Sequence, residues 1–240
     1  EKIADSIKKT NADCIITQFI YEYPDKPVTS DYKLNRDFYD RKQIENDIFP
    51  TMLFDNQYYR FGIFPNCWTK VFKRELLEKH LMNTDDRIRM GEDIAFTYPC
   101  LMECQTLAFV DKALYHYRIN PESMTKAYDE RLPDIYLLPY QALVKKSKQL
   151  GVDLSGQLPY YLLYLVNFVI RNEANINNPK TKKEKLAVLE SIVDNDDIVH
   201  TIDNINAALL PSHTRLLYLS IKKRSVFMLQ SYIKLLRNFL

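Results

Sequence analysis

Residues 89–98 read RMGEDIAFTY, so a glycine stands directly before two adjacent carboxylates and an apolar run with helical spacing. Gly91 can adopt a positive φ angle that other residues resist. Carboxylates in the first turn of a helix are stabilised by the helix dipole and by free backbone N–H groups. Glu92 and Asp93 therefore fit two interpretations, an ordinary helix start or a proton acceptor at the edge of a cleft.

The elements that would position this pair alternate between helices and strands up to about residue 128. The spacing of apolar residues predicts helices over 1–10, 73–80 and 92–103, a strand over 12–23, and two short strands, TLAFVD and ALYHYRI. From about residue 129 the periodicity is helical, and Thr181 and Glu184 have capping-box spacing. The sequence thus predicts an α/β section over 1–128 and a mainly α-helical C-terminal domain over 129–240.

Composition excludes several classes of function. Only four glycines occur, without a GxGxxG or GxxxxGK[ST] motif, so the chain holds no nucleotide by a glycine-rich loop of its own. A formal net charge of +2 creates no field that favours nucleic acid. No stretch reaches the roughly 18 apolar residues of a membrane span. The four cysteines lack zinc spacing, which predicts buried free thiols in a reducing compartment.

Three motifs occur in a fixed order: W-x-K-x-F-K-R-E-L-L from residue 68, G-E-D-x-x-F from 91, and L-Y-x-Y-R-x-x-P-x-S-x-T from 114. Together they resemble the family-two inverting glycosyltransferases of the GT-A fold, above all bacterial members that build surface polysaccharides. The resemblance covers about residues 1–126. It implies that Asp93 is the catalytic base that deprotonates the acceptor hydroxyl, with Glu92 as its partner.

The same resemblance implies that the chain is a fragment. The family's Rossmann-like nucleotide-binding half ends near a DxD metal motif, and EKIADSIKKTNADCIITQF resembles the helix and strand that follow this motif. The chain would then be the acceptor-side part of a GT-A domain, inactive alone because most of the donor site is missing. The full-length enzyme would transfer a sugar from a nucleotide-sugar to a glycan or lipid-linked acceptor, with Mn²⁺ or Mg²⁺ bound mainly by residues outside this chain.

Further site residues follow from the resemblance, and each has a structural alternative. Trp68 and Lys70 would line the acceptor cleft, although Trp68 fits a core position equally well. Arg118 and Ser123 would contact the diphosphate, since Arg suits bidentate anion recognition; a surface ion pair is the alternative for Arg118. His116 would complete the ligand set of the metal ion, or else be a structural residue of its strand.

The C-terminal residues 214–240 interleave Lys and Arg with Leu, Ile, Phe and Tyr. Such a surface can attach a protein to anionic lipid, which would place the enzyme in the cytoplasm at the inner face of the membrane. Packing on the domain, or a contact in a homo-oligomer, explains the pattern as well. A different function stays open too: a non-catalytic helical adaptor or assembly module, in which Glu92 and Asp93 only start a helix.

Overall fold

The structure is a computed structural model that describes residues 1–120 and 127–237, the side chain of Arg237 excepted. Packing groups the chain into two compact units. The first comprises Glu1–Leu53, Phe61–Pro121 and Gln141–Leu154, and the second comprises Phe54–Arg60, Glu122–Tyr140 and Ser155–Leu240. The division into functional domains at residue 128 stays a prediction.

A five-stranded mixed sheet forms the centre of the first unit. Its strands are β1 (Cys14–Glu22), β2 (Pro27–Thr29), β3 (Phe38–Asp40), β4 (Lys70–Phe72) and β5 (Thr106–Arg118). The order is β2-β1-β5-β3, and β4 pairs with the N-terminal part of β1. Among the paired strands of the described residues, β1 and β5 alone run parallel. The first six residues of β1 are buried, as expected for a central strand covered on both faces.

One continuous strand, β5, replaces the two short strands that the sequence predicts. The register along β1 shifts around Gln18, which pairs with Ala113 while Thr17 pairs with Val110. This bulge accommodates Asp111 and Lys112, the polar residues where the two predicted strands, TLAFVD and ALYHYRI, meet. Gln18 Nε2 also donates a hydrogen bond to Asp111 Oδ1 over 3.2 Å, so the irregular step is itself stabilised.

Helices connect and follow the strands. In the described residues they are α1 (Lys2–Thr10), α2 (Arg41–Gln43), α3 (Arg74–Leu81), α4 (Glu92–Glu103), α5 (Leu132–Ile135), α6 (Leu138–Leu150), α7 (Leu158–Ala174), α8 (Lys182–Val193), α9 (Asp196–Ile202), α10 (Ser212–Lys222) and α11 (Val226–Arg237). The predicted helices over 1–10, 73–80 and 92–103 are confirmed within a residue or two. A π-helical turn over Ile44–Ile48 follows α2, within a stretch, DFYDRKQIENDIFPTMLFD, whose apolar spacing is helical.

Two hydrogen-bonded contacts fix α4 within the first unit. The buried Tyr98 donates its hydroxyl to Ile63 O over 2.7 Å, which ties the helix to the segment before β4. At the other end, Arg41 Nη1 donates to Met102 O and Cys104 O over 2.6 and 3.0 Å. These bonds satisfy carbonyls that the end of a helix leaves without a partner. The helix therefore presents its first turn from a fixed position.

The second unit consists mainly of helices. Phe54 stacks on Tyr160 with ring centroids 3.7 Å apart, and Tyr232 donates its hydroxyl to Asn167 Oδ1 over 2.8 Å. The predicted capping box of α8 is confirmed, because Thr181 N donates to Glu184 Oε2 and Glu184 N to Thr181 Oγ1. None of the helices in the described part of the chain is long and apolar enough to cross a bilayer.

The basic C-terminal stretch is two helices, α10 and α11, where the sequence suggests one continuous pattern. The break falls at the Lys-Lys-Arg cluster, where Arg224 adopts a φ of 48°. Ion pairs hold this turn: Lys222 Nζ lies 2.9 Å from Asp203 Oδ1, and Arg224 pairs with Asp196. The residue that turns the chain is therefore held through its own side chain.

Candidate active site

The carboxylate pair lies in the first turn of α4. Gly91 is the N-cap residue and has φ 80° and ψ 20°, a left-handed conformation that explains the glycine at this position. A glycine has no side chain to cap the helix, so the N–H groups of the first turn receive no side-chain acceptor from the N-cap residue. Glu92 is exposed and Asp93 is half-buried. The Asp93 carboxylate is therefore neither enclosed in the core nor fully hydrated.

A short 3-10 turn, Cys67–Thr69, faces this helix start, and Lys70 holds it in place. Lys70 is 8% exposed, and its Nζ donates to Phe64 O over 2.5 Å and to Asn66 O over 2.7 Å. Thr69 Oγ1 donates to Asn66 Oδ1 over 2.7 Å. A buried ammonium needs such acceptors. Lys70 thus has a structural role in the turn, and its contact with a substrate stays a prediction.

Asp93 contacts this turn through Cys67. Burial, and after it the hydrogen bond with Asp93 and the charge of Asp93, together raise the pKa of the Cys67 thiol to about 11. The thiol is thus protonated near neutral pH and can donate to the carboxylate. Burial lowers the pKa of Lys70 to about 8, while nearby groups that include Asp93 oppose this change. Loss of hydration, and then the charge of Asp93, raises the pKa of Glu92.

Aromatic rings cover the sheet next to the turn. Trp68 stacks on Tyr115 and Tyr117, with ring centroids 4.2 and 5.3 Å apart. Tyr117 lies 5.8 Å from Tyr21, and Tyr21 lies 5.6 Å from Tyr23. We call these five residues the aromatic platform. Trp68 is half-buried, so it is neither a core residue nor an isolated surface ring.

His116 and Arg118 lie on the other face of β5, because neighbouring residues of a strand point to opposite faces and Tyr115 and Tyr117 face Trp68. Both are exposed. His116 Nδ1 lies 2.5 Å from Glu22 Oε1. The structure therefore brings Asp93, Trp68 and the Lys70 turn together in one place, and it does not bring His116 and Arg118 to the platform face.

The described residues do not form a metal site. Within 1–120 and 127–237, no group of three or more His, Cys, Asp or Glu side chains is arranged to hold an ion. Glu22 and His116 make one pair, which is too few ligands for Mn²⁺ or Mg²⁺. Ser123, the other predicted diphosphate contact, lies outside the described residues.

Two parts of the site were not anticipated from sequence. Cys67 reads as an ordinary free thiol, yet it is the direct neighbour of Asp93. The tyrosines of the platform occupy alternate positions in FIYEY and YHY, a period-two signal that places them on one face of each strand. Only the parallel pairing of β1 with β5 sets Tyr21 beside Tyr117.

Two Bacillus subtilis proteins described as glycosyltransferases match this chain in sequence. EpsJ is 29% identical over 127 residues, which are 50% of this chain and 36% of EpsJ. EpsH is 22% identical over 179 residues, which are 72% of this chain and 49% of EpsH. The chain is a relative of glycosyltransferases. No family model matches it, and it spans less than half the length of either relative.

Solved structures of a glycosyltransferase-like α/β fold match almost the whole chain. Staphylococcus aureus TarS 1–349 superposes with a TM-score of 0.55 at 15% identity, covering 99% of this chain and 62% of TarS. The complex of TarS 1–349 with UDP-GlcNAc gives a TM-score of 0.53 at 15% identity, covering 98% and 62%. At this identity the likeness establishes the fold and leaves the chemistry to the residues of the site.

Proposed function

We propose that this chain is the acceptor-side part of a family-two, GT-A inverting glycosyltransferase, and that Asp93 is its catalytic base. The observation that carries the proposal is the half-buried Asp93 carboxylate in the first turn of α4, in contact with Cys67 beside the aromatic platform. A base must reach an incoming hydroxyl and yet be partly shielded from water. This position meets both requirements.

The proposed reaction is a single displacement at the anomeric carbon of a nucleotide-sugar. The acceptor oxygen attacks this carbon while its proton passes to the Asp93 carboxylate, and the nucleoside diphosphate leaves from the opposite face with the bonding electrons. No covalent intermediate forms, so the configuration inverts. A positioned base accelerates such a step by about 10²–10⁴-fold. Glu92, whose pKa is raised, adds a second carboxyl at the lip of the site.

The relatives support a glycosyltransferase activity. EpsJ and EpsH are described as glycosyltransferases, and TarS crystallises with UDP and with UDP-GlcNAc. We propose a nucleotide-sugar donor for this enzyme as well, and a glycan or lipid-linked acceptor in bacterial surface polysaccharide synthesis. A chain that covers only part of such relatives would lack most of the donor site and have little activity alone.

A divalent ion, Mn²⁺ or Mg²⁺, would offset the charge that grows on the leaving diphosphate. Because the described residues do not form a ligand set, we propose that its main ligands lie in the remainder of the full-length enzyme. His116 would contribute one further ligand, and Arg118 and Ser123 would contact the diphosphate. We assign no step of the reaction to the ion.

The configuration of the product tests the proposal. Full-length enzyme is screened with a set of sugar nucleotides and oligosaccharide acceptors, and the new linkage is examined by NMR. We expect transfer with inversion at the anomeric carbon. Transfer with retention would contradict the mechanism. If no donor supported transfer and changing Asp93 altered only the stability of the protein, the result would favour the adaptor function.

We also propose that α10 and α11 attach the enzyme to the cytoplasmic face of the membrane, near a lipid-linked acceptor. The exposed Phe227 lies three residues after Arg224, the last residue of the basic cluster, where it can enter the headgroup region. In a liposome-flotation assay with anionic lipid, Phe227→Ala combined with Lys223→Ala should abolish binding, while Ile176→Ala, at another exposed apolar residue, should not. Equal flotation of all variants would exclude membrane attachment through this surface. A concentration-dependent mass in light scattering would instead indicate that the surface joins two copies in a homo-oligomer.

A further inference from the structure

The aromatic platform packs on a buried phenylalanine. Phe19 is fully buried, and its ring meets Tyr21 and Trp68 edge-on at centroid distances of 4.7 and 4.8 Å. Above it, Tyr23 and Tyr115 remain 45% and 39% exposed. Contiguous exposed apolar patches mark interaction sites, and aromatic residues are enriched at such sites.

The chemistry of the platform suits sugars. The faces of aromatic rings carry partial negative charge, and the C–H bonds along one face of a pyranose ring carry partial positive charge. Tyrosine adds a hydroxyl that can exchange hydrogen bonds with sugar hydroxyls. Tyrosine and tryptophan also lose little conformational freedom on binding, because each has only two side-chain torsions.

The length of the platform sets the size of its ligand. From Trp68 the rings continue through Tyr117 and Tyr21 to Tyr23, with successive centroid distances of 5.3, 5.8 and 5.6 Å. Each step is close to the length of one sugar unit in a glycan. The rings are not coplanar, since the interplanar angles are 18° between Trp68 and Tyr117, 79° between Tyr117 and Tyr21, and 35° between Tyr21 and Tyr23. A glycan on this row would therefore contact ring edges and hydroxyl groups as well as ring faces. The row begins at the turn that contacts Asp93 and leads away along the sheet.

We infer that the aromatic platform binds the acceptor as an oligosaccharide of several sugar units, with its reacting end at Trp68 and the following units on Tyr117, Tyr21 and Tyr23. The inference rests on the proposed function, since it assigns the acceptor to that site. Its occupant is a glycan chain. A monosaccharide or a nucleoside would leave most of the rings uncovered.

The sole tryptophan of the chain makes the test specific, because its fluorescence reports on Trp68 alone. Asp93→Asn protein without any sugar nucleotide is titrated with chito-, cello- and malto-oligosaccharides, from the monosaccharide to the tetrasaccharide. We expect a saturable change in Trp68 emission, with an affinity that rises with chain length. Tyr21→Ala and Tyr117→Ala should each weaken binding about fivefold, as expected for the loss of one ring contact.

Phe38→Ala is the matched control, since Phe38 is an exposed aromatic residue of β3 in the same unit and outside the platform. Circular dichroism and thermal unfolding verify that each variant is folded. Absence of binding to any oligosaccharide, an affinity independent of chain length, or an equal loss in Phe38→Ala would overturn the inference. So would a response to uridine diphosphate alone.

This assay separates the inference from the proposed reaction, because it contains neither donor nor catalytic base. Length-dependent binding together with an inactive full-length enzyme would leave the glycan site standing and refute the transferase. Transfer by the full-length enzyme, together with unchanged acceptor affinity in Tyr21→Ala and Tyr117→Ala, would support the transferase and refute the glycan site.

Discussion

Replacement of Lys70 by methionine tests how the site is held together. Methionine keeps most of the apolar stem, but it leaves Phe64 O and Asn66 O without the Nζ donor. A hydrogen bond from a charged group contributes about 1.5–3 kcal/mol. The cost of dehydrating the ammonium, which lowers its pKa, offsets part of the two bonds. We expect Lys70→Met to lower the free energy of unfolding by about 2 kcal/mol at pH 7.

The effect should also depend on pH in a definite direction. The pKa of Lys70 is about 8 in the folded protein, whereas the ordinary pKa of a lysine side chain is 10.5. Between these values the unfolded chain binds the proton and the folded chain has released it, so stability rises with pH. A full difference of one bound proton between the two states changes the free energy of unfolding by about 1.4 kcal/mol per pH unit. From pH 7 to pH 9 the free energy of unfolding of the wild-type protein should therefore rise by roughly 1 kcal/mol relative to that of Lys70→Met. Comparing the two proteins cancels the titration of the cysteines.

Chemical denaturation followed by Trp68 fluorescence measures both quantities, because this ring lies in the turn that Lys70 holds. Lys73→Met is the control: Lys73 Nζ lies 2.9 Å from Asp13 Oδ1, but its side chain is 41% exposed. A pair of this kind contributes at most about 1 kcal/mol. Equal stability of wild type and Lys70→Met would refute the claim that the buried Lys70 ammonium stabilises the turn. So would a stability difference that does not change with pH.

Three further changes have defined outcomes. Gly62→Ala should destabilise the protein by about 1–3 kcal/mol in thermal unfolding, because a Cβ would overlap a backbone carbonyl; Gly156→Ala, with open space around it, should be neutral. Thr97→Val should stabilise it by about 1 kcal/mol, since the buried Thr97 Oγ1 finds no hydrogen-bond partner among the described residues; a loss of stability would show that it has one. Cys67, with its raised pKa, should react slowly with iodoacetamide at pH 8, and Asp93→Asn should accelerate the reaction several-fold in mass spectrometry. An unchanged rate would exclude the contact.

Sequence patterns predict the elements whose cause is local. The buried run of β1, the capping box of Thr181 and the acidic start of α4 after Gly91 all depend on near neighbours. The continuity of β5 could not be predicted, because it depends on a bulge in the pairing of β5 with β1, and this pairing joins residues far apart in the sequence. The break between α10 and α11 depends on ion pairs with α9 and the residue that follows it, which the local pattern does not contain.

The same distinction applies to the site. Asp93 and Trp68 can be identified from sequence motifs, whereas the residues around them are brought together only by the fold. The contact with Cys67 requires the packing of α4 against the turn, which Tyr98 fixes through Ile63 O. The platform requires the register that pairs Tyr21 with Tyr117. A single sequence contains the alternation of the tyrosines but not this register.

The turnover number of Asp93→Asn in the full-length enzyme is the most direct test of Asp93 as the base. Asp86→Asn, at an exposed carboxylate in the loop before α4, is the matched control. We predict that Asp93→Asn lowers kcat by about 10²–10⁴-fold while donor affinity in calorimetry stays within a factor of two to three, and that Asp86→Asn behaves like wild type. A kcat of Asp93→Asn within a few-fold of wild type would contradict the account.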